Sequence, residues 1–174
     1  MEEKYMNDIL PKLSKIQLFS GFNPDVEEDR KILMQIYENI SLKKIKKGNV
    51  IIKEGEEGDD FFILNSGSVH ISRNTPDGDP IALADLDDSM NIFFGETALI
   101  SNDVRSATVT ALTDCTLFVL SSKKFHALCK KEPVLGYRVL LVLARRMATT
   151  IRNTNRDKAT LYQALFNEIA GGER

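Results

Sequence analysis

With two cysteines and two histidines in 174 residues, this chain has too few soft ligands for a disulfide framework or a four-ligand zinc site. Cys115 sits in the alternating run Cys115-Leu117-Val119, which places its thiol in a core rather than in chemistry. His70 and His126 are far apart and show no metal-ligand spacing, so structural or surface roles are expected for both. An excess of one charge is also missing: 23 basic residues face 25 acidic ones. Nucleic-acid binding usually needs a strong basic surplus, so none is expected of this chain alone. The longest apolar run, near VLLVLA, is far short of the ~20 residues that cross a bilayer. The N-terminus MEEKYMNDIL is acidic and amphipathic, without the basic region and apolar stretch of a signal peptide. A reduced, cytoplasmic setting follows. No P-loop, nucleophile–base arrangement or metal cluster is legible, so no enzyme is expected.

What is present is an ordinary globular balance, 43% hydrophobic and 28% charged, at a length that suits one domain with some flanking helix. Residues 1–44 read as N-terminal helices. Tyr5, Ile9, Leu13 and Ile16 recur at helical spacing. Phe19-Ser20-Gly21-Phe22-Asn23-Pro24 breaks the pattern, and a second helix follows from about Asp25 to Ile40, with Val26, Ile32, Leu33 and Ile36 as its buried stripe. From Gly48 short β-rich runs alternate with glycine-bearing turns. Val69 and Ile71 alternate with His70 and Ser72, Pro76-Asp77-Gly78 signals a hairpin, and Ala107-Val109-Ala111 alternates with Thr108-Thr110. Many short strands at this spacing predict an antiparallel sandwich or barrel over residues 45–122.

Residues 123–174 read as C-terminal helices, with Pro133 suited to the first turn of the longer one. Along it Leu140, Ala144, Met147, Ile151, Thr154, Lys158, Leu161 and Leu165 step in threes and fours, a heptad-like stripe with a polar middle. The stripe could lie on the chain's own barrel; the reading preferred here is a homodimer through this helix. The arginines at 138, 145, 146, 152 and 156 could be a solvated face or could reach a ligand or partner.

The segment FFGETALISNDVRSATVTA, residues 93–111, carries the chemistry. A cyclic phosphodiester has one negative charge and two free oxygens. A guanidinium fork can meet such oxygens, backbone N–H groups at a helical turn add donors, and a carboxylate can accept from a ribose hydroxyl. Gly95 permits close approach, Glu96 supplies the carboxylate, and residues 96–98 supply N–H groups. Arg105 supplies the charge and Ser106 a hydroxyl. Spacing alone leaves open a plain Glu96–Arg105 ion pair that pins a loop.

This segment resembles the phosphate-binding cassette of cyclic nucleotide-binding domains, found in protein kinase A regulatory subunits, nucleotide-gated channels and catabolite-activator proteins. GNVIIKEGEEGDDFFILNSGSVHIS resembles the family's first strands, and LFSGF its helical entry; the likeness covers roughly residues 15–150. It implies a mainly β fold, an eight-stranded antiparallel β-roll of jelly-roll type with N-terminal helices and a long C-terminal helix, with the cassette at 93–108. It further implies that Glu96 holds the ribose 2′-hydroxyl, that Arg105 holds the phosphate with N–H groups near Thr97 and Ala98, and that Ser106 contacts phosphate or a guanine edge. The candidate contacts are thus Gly95, Glu96, Thr97, Ala98, Arg105, Ser106 and Ala107, joined by Val69. The implied role is a non-catalytic sensor of cAMP, or less readily cGMP, without a prosthetic group, acting through an unidentified downstream protein. The alternative is a member that has lost its ligand and serves as a dimeric scaffold. A transcription factor would need a two-helix DNA reader, and nothing after Arg156 resembles one. Three features depart from the family pattern. Thr97 stands where an apolar residue is usual, Val104 where proline is common, and Asp85, Asp87 and Asp88 precede the cassette without the usual glycines.

Overall fold

The computed structural model describes residues 2–101 and 103–171, with side chains over 9–101 and 103–170. Two helices open the chain, α1 (Glu2–Lys15) and α2 (Glu27–Asn39), separated by a 3-10 turn at Gln17–Phe19. Glu27, Glu28 and Asp29 occupy the first turn of α2, where carboxylates complement the helix dipole. Ile32, Leu33 and Ile36 form its buried stripe as expected, but Val26 is 43% exposed. Val26 is the extended residue that precedes the helix, so its side chain does not share the helical face. The side chain of Tyr5 lies outside the described residues.

Eight strands follow: β1 (Ser41–Ile45), β2 (Val50–Ile52), β3 (Asp60–Ser66), β4 (Ser68–Asn74), β5 (Pro80–Asp87), β6 (Phe93–Phe94), β7 (Thr108–Ala111) and β8 (Cys115–Ser121). They form two antiparallel four-stranded sheets, β1-β8-β3-β6 and β2-β7-β4-β5. The chain is thus mainly β with flanking helices, the expected β-roll. Its first strand begins where the sequence reading still carried helix. SLKKI lacks the alternation that betrays a half-buried strand, because β1 is an outer strand paired only through β8 among the described residues. Lysines on such an edge discourage pairing with other chains.

Alternation sorts the core into two layers. Phe62, Leu64, Cys115, Leu117 and Val119 point between the sheets, where they meet Ile52, Val69, Phe94 and Val109. Phe61, Ile63, Phe118 and Leu120 point outward from the same strands and are covered by the helices. Strands β3 and β8 are therefore buried on both faces.

Two helices close the chain, α3 (Ser122–Lys131) and α4 (Pro133–Gly171). Ser121 caps α3 by accepting from the Lys124 N–H. Leu135, Val139 and Leu143 of α4 are buried against the rest of the fold, whereas residues 144–170 are exposed throughout. Among the described residues, no helix is long and apolar enough to cross a membrane.

Candidate functional site

The cassette folds as a strand, a turn and a loop. Strand β6 delivers Phe93 and Phe94 to opposite layers of the core. Gly95 then turns the chain at φ +72°, a left-handed conformation that side chains resist. A 3-10 turn over Glu96–Leu99 follows, anchored by buried Ala98 and Leu99. The loop returns to β7 through Arg105.

Arg105 organises the site. It is only 7% exposed. Its Nη2 donates to the Asp60 main-chain carbonyl at 2.7 Å, and its Nη1 to that of Gly95 at 3.3 Å. Its own main chain pairs with the loop before β3: its N–H donates to Glu56, and its carbonyl accepts from Gly55, each at 2.9 Å. Burial lowers its proton affinity, and the nearby Asp60 and Asp59 partly offset that. A guanidinium nonetheless stays charged at any physiological pH.

Two glycines make room for this side chain. A Cβ on Gly58 would sit 2.7 Å from the Arg105 Nε, and one on Gly95 would sit 2.8 Å from its Nη1. In the sequence Gly58 reads as simple punctuation. Its role as a wall beside Arg105 depends on the folding of residues 54–60 over the cassette.

A cavity of about 170 Å³ lies here. Gly95, Glu96, Thr97, Arg105, Ser106 and Ala107 line it, with Ile52, Ile71, Leu86 and Val109 as its apolar side. Six of the eight candidate residues thus meet at one cavity. The other two do not line it. Ala98 is buried and its N–H donates to the Gly95 carbonyl at 3.2 Å. Val69 is fully buried between the sheets, and Ile71, two residues along the same strand face, reaches the cavity in its place. Alternation identifies the inward face of β4 but not the depth of each residue on it.

The acidic residues before the cassette are engaged elsewhere. Asp85, in β5, pairs with His70 at 2.5 Å. Asp87 accepts from the Ser89 N–H at 2.9 Å, and Asp88 accepts from that of Gly67 at 3.1 Å. None of the three lines the cavity.

Helix α4 contributes a residue that the sequence left unassigned among five arginines. Arg146 also lines the cavity. Its guanidinium stands 4.6 Å over the Phe93 ring and its Nε is 3.7 Å from Glu96 Oε1. A second tie to the cassette comes from α3, where His126 Nε2 lies 2.7 Å from the Leu99 carbonyl. Only the tertiary fold brings either residue to the cassette, so no local motif marks them. Elsewhere on α4, Arg138 joins Asp29 at 2.7 Å and the Gly21 carbonyl at 2.9 Å, fastening the helix to the N-terminal turn.

The comparisons with known proteins agree with this fold. A family model described as "Cyclic nucleotide-binding domain" matches residues 42–132. A cyclic nucleotide-gated potassium channel of Mesorhizobium japonicum is 36% identical over 121 residues, covering 70% of this chain and 30% of the channel. A CRP-like cAMP-activated global transcriptional regulator of Mycobacterium tuberculosis is 26% identical, covering 91% of this chain and 64% of the regulator. The chain thus spans less than two thirds of either relative. Among solved structures, cAMP-bound PfPKA-R aligns with a TM-score of 0.62 at 32% identity, over 72% of this chain and 42% of that one. A cyclic nucleotide-binding domain from Methylobacillus flagellatus aligns with a TM-score of 0.70 at 23% identity, over 88% and 82%, a likeness of fold.

Proposed function

Because this chain belongs to the cyclic nucleotide-binding domain family, we propose that it is a cytoplasmic, non-catalytic sensor of a cyclic nucleotide, with cAMP ahead of cGMP. The observation that carries this reading is that Glu96 and Arg105 line one cavity beside Gly95, Ser106 and Ala107. Glu96 accepts from the ribose 2′-hydroxyl. Arg105 turns its guanidinium from main-chain carbonyls to the cyclic phosphate, and the Ser106 hydroxyl adds a donor.

Helix α4 then repacks as a lid over the base, because its Arg146 already reaches the cassette. Ligand drives this movement only as far as it prefers the repacked state. The signal leaves through α4 to a second copy and to a downstream protein. Support for the dimer comes from the exposed stripe Leu140, Met147, Ile151, Leu161 and Leu165, which is 47–69% exposed in the single chain. An apolar stripe of that length on a free helix calls for a partner.

Calorimetry with cAMP and cGMP on the folded chain tests the sensor. Heat that saturates at micromolar ligand is expected. Silence for both ligands at high micromolar concentration would count against it and leave a dimeric scaffold.

A further inference from the structure

A cavity of about 640 Å³ lies on the outward face of the β1-β8-β3-β6 sheet, under α1 and the end of α2. It is well above the 170 Å³ of the cassette cavity and shares no lining residue with it. Its size falls in the ~300–1,000 Å³ range of small-molecule sites. The apolar wall is made by Ile9 of α1, Ile40 after α2, Leu42 of β1 and Phe118 of β8. Ile9 and Ile40 pack on the buried core behind them, while Leu42 is 57% exposed.

Strand register separates a polar end from an apolar one. Leu42 pairs with Phe118, and Lys44 pairs with Thr116. Thr116 therefore lies two residues, roughly 7 Å, further along β8. Asn65 joins Thr116 there. It is the extra residue of a bulge in β3, between Leu64 opposite Leu117 and Ser66 opposite Thr116. Bulges commonly re-aim a side chain towards a site. Lys12 of α1 lines the cavity as well, and with Asn65 and Phe118 it also lines an adjoining space of about 300 Å³. Among the described residues, no hydrogen bond or ion pair engages the side chains of Lys12, Asn65 or Thr116. Glu38 is the one acid that lines the cavity among those residues. It stands two residues before Ile40, at the apolar end. Asp88, in the adjoining space, already accepts from the Gly67 N–H at 3.1 Å.

We propose that this cavity is a second ligand site, and that it takes an amphiphile with an anionic head and an apolar tail, a free fatty carboxylate. The Lys12 ammonium, the Asn65 amide and the Thr116 hydroxyl receive the carboxylate, and Lys44 adds positive charge at the same end. The tail runs along Phe118 and Leu42 towards Ile40. Removing the tail from water supplies most of the binding, and the charge at the polar end selects the head. The inference stands apart from the cyclic-nucleotide reading, because the two cavities have no residue in common.

Calorimetry on the full chain tests it with two probes of the same tail, decanoate and decylammonium, both below their micelle concentrations. Decanoate should saturate one site per chain, and decylammonium should bind at least about fivefold more weakly. Lys12→Glu should weaken decanoate by about five- to tenfold and reverse the preference, since a repulsion replaces an attraction. Leu42→Ser should weaken both probes alike, by about fivefold. Both residues are exposed, so the thermal midpoint should not move. The comparison of the two probes on the unaltered chain needs no variant. Decanoate that does not saturate, equal binding of the two probes, or a preference unmoved by Lys12→Glu overturns the site. A cAMP titration of the same protein reads the cassette separately: decanoate silent with cAMP bound sinks the second site alone, and cAMP silent with decanoate bound sinks the sensor alone.

Discussion

The Nη2 of Arg105 donates to the main-chain carbonyl of Asp60 at 2.7 Å, which joins the end of the cassette to the first residue of β3. A main-chain carbonyl holds the guanidinium without neutralising it. The guanidinium therefore keeps its charge while the carbonyls hold the side chain in the fold, and an anion would have to draw it away from them.

Replacing Arg105 by alanine should weaken cyclic nucleotide binding by about ten- to a hundredfold, from a charged hydrogen bond of roughly 1.5–3 kcal/mol. Calorimetry reads this directly. The same change removes the guanidinium donors to the Gly95 and Asp60 carbonyls, so thermal unfolding of the free protein should also move to lower temperature. Lysine should rescue little, since it lacks the planar fork.

Gly58→Ala should weaken binding while the fold persists. The added methyl would lie 2.7 Å from the Arg105 Nε, so the guanidinium has to move. The backbone of Gly58 is not in the left-handed region, so strain adds little. Circular dichroism should stay unchanged and nucleotide affinity should fall several-fold. Unchanged affinity would mean that the packing of Arg105 against Gly58 does not matter to binding.

Gly95→Ala should be worse for stability. It combines a positive φ of 72° with contacts of 2.8 Å to Arg105 Nη1 and 3.0 Å to the Asp60 carbonyl. A left-handed non-glycine residue costs roughly 1 kcal/mol before any clash. A chemical denaturation midpoint clearly below that of Gly58→Ala is the expected result.

The α4 stripe should make the protein a dimer. Sedimentation or light scattering at micromolar concentration should give twice the chain mass. The double variant Met147→Glu with Ile151→Glu should halve it, because both side chains are about half exposed and take no part in the single-chain core. A monomeric mass for the unaltered chain would remove the dimer and leave the ligand site untouched.

Cys129 offers a measurement through pH. Burial raises the proton affinity of its thiol, so at any given pH it carries less thiolate than a free cysteine. Alkylation followed by peptide mapping should be slow near neutrality and should accelerate only at pH above the ordinary thiol range. The raised value also means that deprotonation is harder folded than unfolded, so alkaline pH should erode rather than add stability at this residue.

Strand parity made an antiparallel sandwich or barrel legible, the family resemblance narrowed it to a β-roll, and the cassette was legible because its chemistry is contiguous. Gly95, Glu96, Arg105 and Ser106 fall within one short loop, so their spacing along the chain already approximates their spacing in space. β1 was hidden because an exposed, lysine-rich edge strand has no buried face to impose alternation. Val69 and Ile71 share a face of β4, yet one is sealed between the sheets and the other lines the cavity; that difference belongs to the curvature of the roll and not to the sequence around them.

By itself, then, the sequence determined the class of fold, the position of the cassette and the two side chains that define its charge, since each depends on residues close together in the chain. Tertiary structure alone decided that Gly58 packs on Arg105, that the Asp60 carbonyl holds it, and that Arg146 of α4 reaches Glu96. These three contacts span 45 to 50 residues of chain. No local pattern specifies such a contact, because its energy comes from burial and geometry that exist only after the sheets and α4 have packed together.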